Sequence, residues 1–460
     1  MLHAIPTERL EAELGAWAGE MTQAVSACVH CGFCLPACPT YVELGEEMDS
    51  PRGRIVMMKG ALEGELDPAQ VARHVDACLG CVACVTACPS GVRYGELVTP
   101  FRAWLERRRR RPLLERGWRR LLSSTMPHPG RFALLLAAAA PVRIFRGLLP
   151  AQLRAALELL PARERTPRDC DLAPGALRPP IGGTVALLRG CVQTVLAPEL
   201  ERITASVLGV FGYAVEVPAG QGCCGGLALH TGDLEQARAL ARRNLAVFDD
   251  LEVVAVVTNA AGCGSALREA SMLFAGTPDE ELARKLSGRA RDISTLLAAA
   301  LPAAFPDGLP PLGARLRAVY HDPCHLLHAQ GERAAPRMLL RAIPDLELLE
   351  PAESELCCGS AGTYNLEQPA IAERLGERKA RNLIATGAQA VITGNLGCAL
   401  QIRRHAARLG RPLEVLHTVE VVARALSRGR GQTGAPLGAP NRPPRDEIAW
   451  ADGRAGTGHG

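Results

Sequence analysis

Cys28-Val29-His30-Cys31-Gly32-Phe33-Cys34-Leu35-Pro36-Ala37-Cys38-Pro39 is matched further along the chain by Cys78-Leu79-Gly80-Cys81-Val82-Ala83-Cys84-Val85-Thr86-Ala87-Cys88-Pro89. Each stretch reads C-x2-C-x2-C-x3-C-P, the spacing of bacterial [4Fe–4S] loops. Three thiolates in a tight loop grip three corners of one cube. The fourth, just before the proline, lies too far along to close that cube and reaches the neighbouring one. The spacing therefore assigns Cys28, Cys31, Cys34 and Cys88 to a first cluster, and Cys78, Cys81, Cys84 and Cys38 to a second. Pro39 and Pro89 end each loop and remove a backbone donor. Structural zinc uses well-separated ligand pairs, and disulfides need an oxidising compartment. Neither accounts for the same rare spacing occurring twice.

The chain has 460 residues, room for two to four domains. A hydrophobic content of 48% supplies buried cores, and a net charge of +4 gives no ground for a nucleic-acid partner. Of 52 basic residues three are Lys (Lys59, Lys285 and Lys379) and 49 are Arg, which with the abundant Ala points to genome bias. There are seventeen Cys. The N-terminus carries Glu8, Arg9, Glu11 and Glu13 and no apolar signal core. Reduced, metal-bound cysteines in the cytoplasm are expected. The longest apolar run, Phe132–Val142, falls short of the roughly 20 residues of a membrane span. No transmembrane segment is expected, although peripheral association with the inner face of the membrane is compatible.

Residues 1–100 read as a mainly helical two-cluster ferredoxin-type domain. Residues 1–25 form an amphipathic helix in this reading. Ser50-Pro51-Arg52-Gly53-Arg54-Ile55 starts another, with Ser as cap and Pro in the first turn. Ile55, Met58, Leu62 and Leu66 would cover the clusters. Arg52 and Arg54 are open between cluster hydrogen bonds, a docking surface and plain solvation. Residues 101–182 form a basic helical connector ending in a Pro/Arg-rich linker over 161–180, where Cys170 has no assigned role. From Phe101 to Arg120 there are nine Arg against two Glu. The run Arg107–Arg111 is read first as a solvated face; an acidic partner or anionic lipid is the alternative.

From residue 183 the chain repeats itself. The first unit, 183–300, carries strand Thr184–Leu188, Cys191, Cys223-Cys224-Gly225 and Cys263. The second, 314–426, carries strand Leu316–Tyr320, Cys324, Cys357-Cys358-Gly359 and Cys398. Matching cysteines are offset by 133, 134, 134 and 135 residues, the mark of a duplication. Helices Leu234–Asp249 and Pro369–Ala385 precede strands Val253–Thr258 and Ala390–Thr393. Alternation of this kind predicts parallel α/β sheets, with ligands at the carboxyl ends of the strands. Residues 427–460, with eight Gly and four Pro, read as a disordered tail.

Cys191, Cys223, Cys224 and Cys263, and Cys324, Cys357, Cys358 and Cys398, are candidate further metal ligands. Cluster, zinc, a site lost to divergence and buried apolar cysteines all stay open. Gly225 and Gly359 permit a turn or close approach that no side chain would allow. His321, His325 and His328 flank Cys324. Capping or packing is the first reading for them and ligation or proton relay the second. The first repeat has Leu188 and Val192 where the second has His321 and His325. His30 lies inside the first loop, where it can tune a cluster by hydrogen bonding.

These residues together resemble the family of heterodisulfide reductase-like iron–sulfur subunits. Its members include subunits of glycolate oxidase, lactate utilisation complexes and anaerobic glycerol-3-phosphate dehydrogenase. The likeness rests on Ala27–Cys34, Cys38–Tyr41, Pro51–Ile55, Cys88–Tyr94 and Leu356–Tyr364. Within the family the chain looks most like the glycolate oxidase iron–sulfur subunits. One departure is that the C-x-x-C partner positions of Cys263 and Cys398 are Ala260 and Asn395. That weakens a disulfide-cleaving reading.

The chain has no Gly-rich dinucleotide loop and no acid–base pair suited to hydride abstraction, so no catalytic residue is assigned. The resemblance implies that FAD-containing partner subunits oxidise glycolate to glyoxylate. It also implies that this chain passes their electrons through two [4Fe–4S] clusters towards a quinone or another acceptor. The same role with lactate, or a heterodisulfide reductase-like role, is the alternative.

Overall fold

Strands buried on both faces of a parallel sheet read as short, continuous apolar runs. Val185–Leu187, Val256–Val257, Ala318–Tyr320 and Ala390–Ile392 are such runs, each buried completely or nearly so. In the computed structural model, residues 7–142, 151–159, 172 and 182–428 are described. The runs form the centres of two four-stranded parallel sheets. The first has β1 (Thr184–Leu187), β2 (Ala214–Glu216), β3 (Ala255–Thr258) and β4 (Ala290–Asp292) in the order β2-β1-β3-β4. The second has β5 (Leu316–Tyr320), β6 (Leu346–Leu349), β7 (Ala390–Thr393) and β8 (Glu414–His417) in the order β6-β5-β7-β8. Identical strand orders bear out the α/β duplication.

The edge strands are absent from the sequence reading. β2 and β4 have three residues each and β2 is only partly buried, so neither shows a clear apolar signature. The central strands are close to expectation, with β1 ending at Leu187 and β3 beginning at Ala255. The two repeats share one apolar core. Val185, Val257, Leu297, Tyr320, Leu339 and Leu416 belong to the same cluster. The His417 ring bonds the Asn259 carbonyl at 2.7 Å, stitching the sheets across that core.

The N-terminal part is helical. The expected single helix over 1–25 is instead a helix Thr7–Leu14, a tight turn Gly15–Trp17 and a helix Ala18–Ser26. Gly15 adopts φ +57°, a conformation that ends an α-helix. Trp17 donates to the Met272 carbonyl at 2.9 Å, anchoring the break. Helix Pro51–Glu63 starts as expected: Ser50 accepts from the Gly53 amide and Pro51 fills the first turn. It ends at Gly64, so Leu66 lies beyond it and is 36% exposed rather than covering a cluster.

The basic connector is helical, with helices Tyr94–Arg108, Leu113–Thr125, Pro129–Ala139 and Ala151–Leu159. Its arginine run is solvated in part: Arg107, Arg108 and Arg110 are exposed, whereas Arg109 and Arg111 are half-buried in ion pairs. Arg111 pairs with Asp76, Glu106 and Glu115, and Arg109 with Asp76 and Glu106. Arg108 pairs with Glu13 at 2.7 Å and lies over the Trp104 ring. For Arg108, Arg109 and Arg111 the acidic partners are in the chain itself, which spacing alone could not show. Among the described residues no helix is long and apolar enough to cross a membrane. Of the expected tail from 427, Ser427 and Arg428 instead close helix Thr418–Arg428, and the rest lies outside the described residues. So do Cys170 and the linker around it, apart from Leu172.

Candidate iron–sulfur centres

The two ferredoxin-type loops repeat each other in backbone as well as in sequence. Each enters the left-handed region immediately before its second cysteine, at His30 (φ 56°) and Gly80 (φ 67°). Each does so again immediately after it, at Gly32 (φ 85°) and Val82 (φ 50°). For His30 and Val82 this costs energy, and such strain gathers at ligand-holding sites. Left-handed turns also aim amide groups inward at anions. The Gly80 amide donates to Cys78 Sγ at 3.4 Å.

Burial divides the eight cysteines along the swapped grouping. Cys38, Cys78, Cys81 and Cys84 are buried, whereas Cys28, Cys34 and Cys88 are half-buried and Cys31 is exposed. Cys38 thus shares the burial of the second loop and Cys88 that of the first. Among electrostatic neighbours, Cys28 lies near Cys88 and Cys31, and Cys84 near Cys78 and Cys38, while Cys34 lies near Cys38 and Cys84 where the two groups adjoin. The donors are soft, convergent and reduced, as a [4Fe–4S] cluster requires.

Arg54 settles its own reading. It is 1% exposed, donates to the His74 carbonyl and Thr40, pairs with Asp49 at 3.2 Å, and reaches Cys38 Sγ at 3.9 Å. Burial alone would raise the Cys78 thiol, but the charges of Arg54 and Arg102 outweigh it and hold that thiol below its usual value. A cation here favours thiolate and offsets an anionic cluster. Arg52 instead pairs with Glu47 and donates to the His30 carbonyl, bracing the first loop.

The cysteine-rich sites sit where sheet topology predicts. In each sheet the first strand connects outward to one side and the third lies on the other, so a crevice opens between them. Cys191 follows β1 and Cys263 follows β3; Cys324 follows β5 and Cys398 follows β7. Cys263 and Cys398 lie in the first turns of helices Ala261–Arg268 and Leu396–Arg408. Gly225 and Gly359 take φ +82° and +83°, and an added Cβ would meet a backbone oxygen at 2.8 and 2.9 Å. No other residue fits there without movement.

The sulfurs converge. Cys191 and Cys223 Sγ are 3.4 Å apart, Cys324 and Cys357 3.7 Å. The Asn395 side chain donates to Cys398 Sγ at 3.3 Å. His321, Cys358 and Cys398 place ligand atoms within 4.8 Å of one another. His321 is buried, which together with the Lys379 charge lowers its pKa well below the usual value. His325 bonds the Gly80 carbonyl and His328 bonds Thr86, so these two tie the second repeat to the second ferredoxin loop.

All eight of these cysteines line one apolar cavity of about 430 Å³, walled also by Trp118, Leu122, Phe132 and Leu136. The second set touches the ferredoxin domain: Cys81 and Cys357 share a buried cluster with Leu79 and Tyr364. Sequence reasoning gave no role to Arg102, Lys379 and His230, and had Tyr364 only as the end of a family motif. The His230 ring lies 5.0 Å from that of His325. None has a local pattern, because each acts across elements distant in sequence.

A 4Fe-4S dicluster domain model matches residues 24–92, and a cysteine-rich domain model matches residues 185–268 and 318–403. The fold and these centres define an iron–sulfur protein with a two-cluster domain and two cysteine-rich α/β repeats. The chain is 36% identical to the glycolate oxidase iron–sulfur subunit of Escherichia coli strain K12, over 91% of this chain and 98% of that one. It is 33% identical to the "Probable glycolate oxidase iron-sulfur subunit" of Bacillus subtilis strain 168, over 82% and 88%. Lactate utilization protein A of Oceanobacillus iheyensis is 29% identical, over 52% and 96%. The chain belongs to the family of glycolate oxidase iron–sulfur subunits.

Proposed function

We propose that the chain is the electron-carrying subunit of a complex that oxidises glycolate to glyoxylate on FAD-containing partners and delivers the electrons to a quinone. Similarity along nearly the whole length to glycolate oxidase subunits supports the substrate. Likeness to the lactate utilization protein keeps another 2-hydroxy acid as the second reading, with the same role for this chain.

The observation that carries the reading is the ordered burial of the thiols. Bound clusters would supply one-electron carriers. Cys28, Cys31, Cys34 and Cys88 hold the outer position, beside Val29 and Phe33, which are 67% and 65% exposed. This is where a donor subunit docks. Cys38, Cys78, Cys81 and Cys84 hold the buried position, where water is excluded and Arg54 and Arg102 offset negative charge. Cys81 then packs with Cys357 at the edge of the cysteine-rich sites. Their shared cavity is apolar on its connector side, where Trp118, Leu122, Phe132 and Leu136 let a lipid-soluble acceptor approach the cysteine-rich sites. Leu113 and Leu114, 77% and 90% exposed on the same connector, suit peripheral contact with a membrane.

The test is acceptor-specific. Leu136→Trp should block the connector side of the cavity and slow quinone reduction by the assembled complex at least tenfold, while a water-soluble dye is still reduced. Equal losses with both acceptors would refute the placement of the quinone. Cys38→Ser tests the ligand swap, since it should damage the cluster held by the second loop and spare the other.

A further inference from the structure

The two cysteine-rich sites are copies in fold, yet they differ in one buried donor. Both lack the additional thiolate of a C-x-x-C pair, with Ala260 in the first and Asn395 in the second. Three residues before its leading cysteine, the first site has Leu188, which is buried and apolar. At the same place the second site has His321, 1% exposed. Both ring nitrogens of His321 are without a hydrogen-bond partner. A buried imidazole left in this way costs free energy unless something absent from the protein atoms satisfies it. One of its nitrogens lies within 4.8 Å of both Cys358 and Cys398 sulfurs. Packing does not explain the choice, because leucine does the same job in the first repeat.

We propose that His321 is an iron ligand of the second cysteine-rich site, giving that site a nitrogen donor the first one lacks. This rests on the reading that the site holds an iron–sulfur cluster. A neutral imidazole adds a donor without the negative charge that a fifth thiolate would bring, and fewer anionic ligands mean a higher reduction potential. The two sites are then unequal. The second, beside Cys81, is the one with the nitrogen donor.

The experiment uses anaerobically purified full-length chain. Iron is counted, and hyperfine spectra are recorded with natural-abundance and 15N-labelled histidine. The expected result is iron clearly above the about eight atoms of two cubane clusters, with a histidine nitrogen coupling that changes on 15N labelling. That coupling should vanish in His321→Leu, which copies the first repeat. His321→Cys should keep the iron and shift the potential of the site downward. Iron no higher than about eight would overturn the occupied site and the ligand together. Excess iron without nitrogen coupling, or with coupling unchanged in the variants, would overturn the His321 assignment alone. If His321→Leu does not accumulate, labelled wild type and His321→Cys decide the matter.

Discussion

Tyr364 donates its phenolic hydrogen to the carbonyl of Ala77 at 2.8 Å, both groups being buried. Ala77 immediately precedes Cys78. Tyr364 follows the Cys357-Cys358 pair, so one hydrogen bond joins the second ferredoxin loop to the second cysteine-rich site. Tyr364→Phe leaves that carbonyl unsatisfied and should cost about 1–3 kcal/mol. We expect cluster absorbance to be lost at lower urea than in wild type. An unchanged midpoint would show that the bond contributes nothing to the interface.

Arg54 is a buried cation beside the thiols of Cys38 and Cys78. Replacing it with Gln should make the cluster held there harder to reduce, because a compensating positive charge is gone. The cluster at Cys28 and Cys31 should shift less. Redox titration followed by electron paramagnetic resonance separates the two. Arg54→Lys, which keeps the charge, should fall between the variant and wild type.

Asp292 caps helix Ile293–Ala304 by accepting from the Ser294 amide at 2.8 Å. Burial pushes its carboxyl up to about 6, against the Ser294 hydrogen bond and with help from Glu332. A carboxyl with a raised folded value stabilises the fold when protonated, and that advantage is lost as pH rises from the unfolded value, 3.8, to about 6. Asp292→Asn keeps the cap and removes the charge. Its gain over wild type should grow from pH 4 to pH 6 and level off above, at about 3 kcal/mol. Denaturation at pH 5 and pH 8 checks the sign; a gain that shrank with rising pH would contradict it.

Gly359 has φ +83° with no room for a Cβ beside the Ala372 carbonyl. Gly359→Ala should destabilise the second repeat by about 1–3 kcal/mol and displace Cys358. Metal content should fall in this site while the ferredoxin-type signals persist. A variant with full metal content would show that the turn tolerates a methyl group.

Much of this was legible in the chain. C-x2-C-x2-C-x3-C-P fixes cluster type, because cube geometry tolerates few loop spacings. Constant offsets between Cys191 and Cys324, and between Cys224 and Cys358, reveal a duplication. Apolar runs mark the inner strands, whose burial on both faces leaves polar residues no place. Ser50-Pro51 and Gly359 carry local backbone signals that need no tertiary information.

Tertiary structure alone decided the rest. Arg111 looks like part of a solvated run until Asp76 and Glu106 are brought to it. Arg54 looks like any surface arginine until it is buried against Cys38. His321 looks like a packing residue until Cys358 and Cys398 converge on it from two other loops. Local sequence records backbone preference and side-chain period. It does not record which distant charges and donors share a low-dielectric interior, and there an unpaired group costs most.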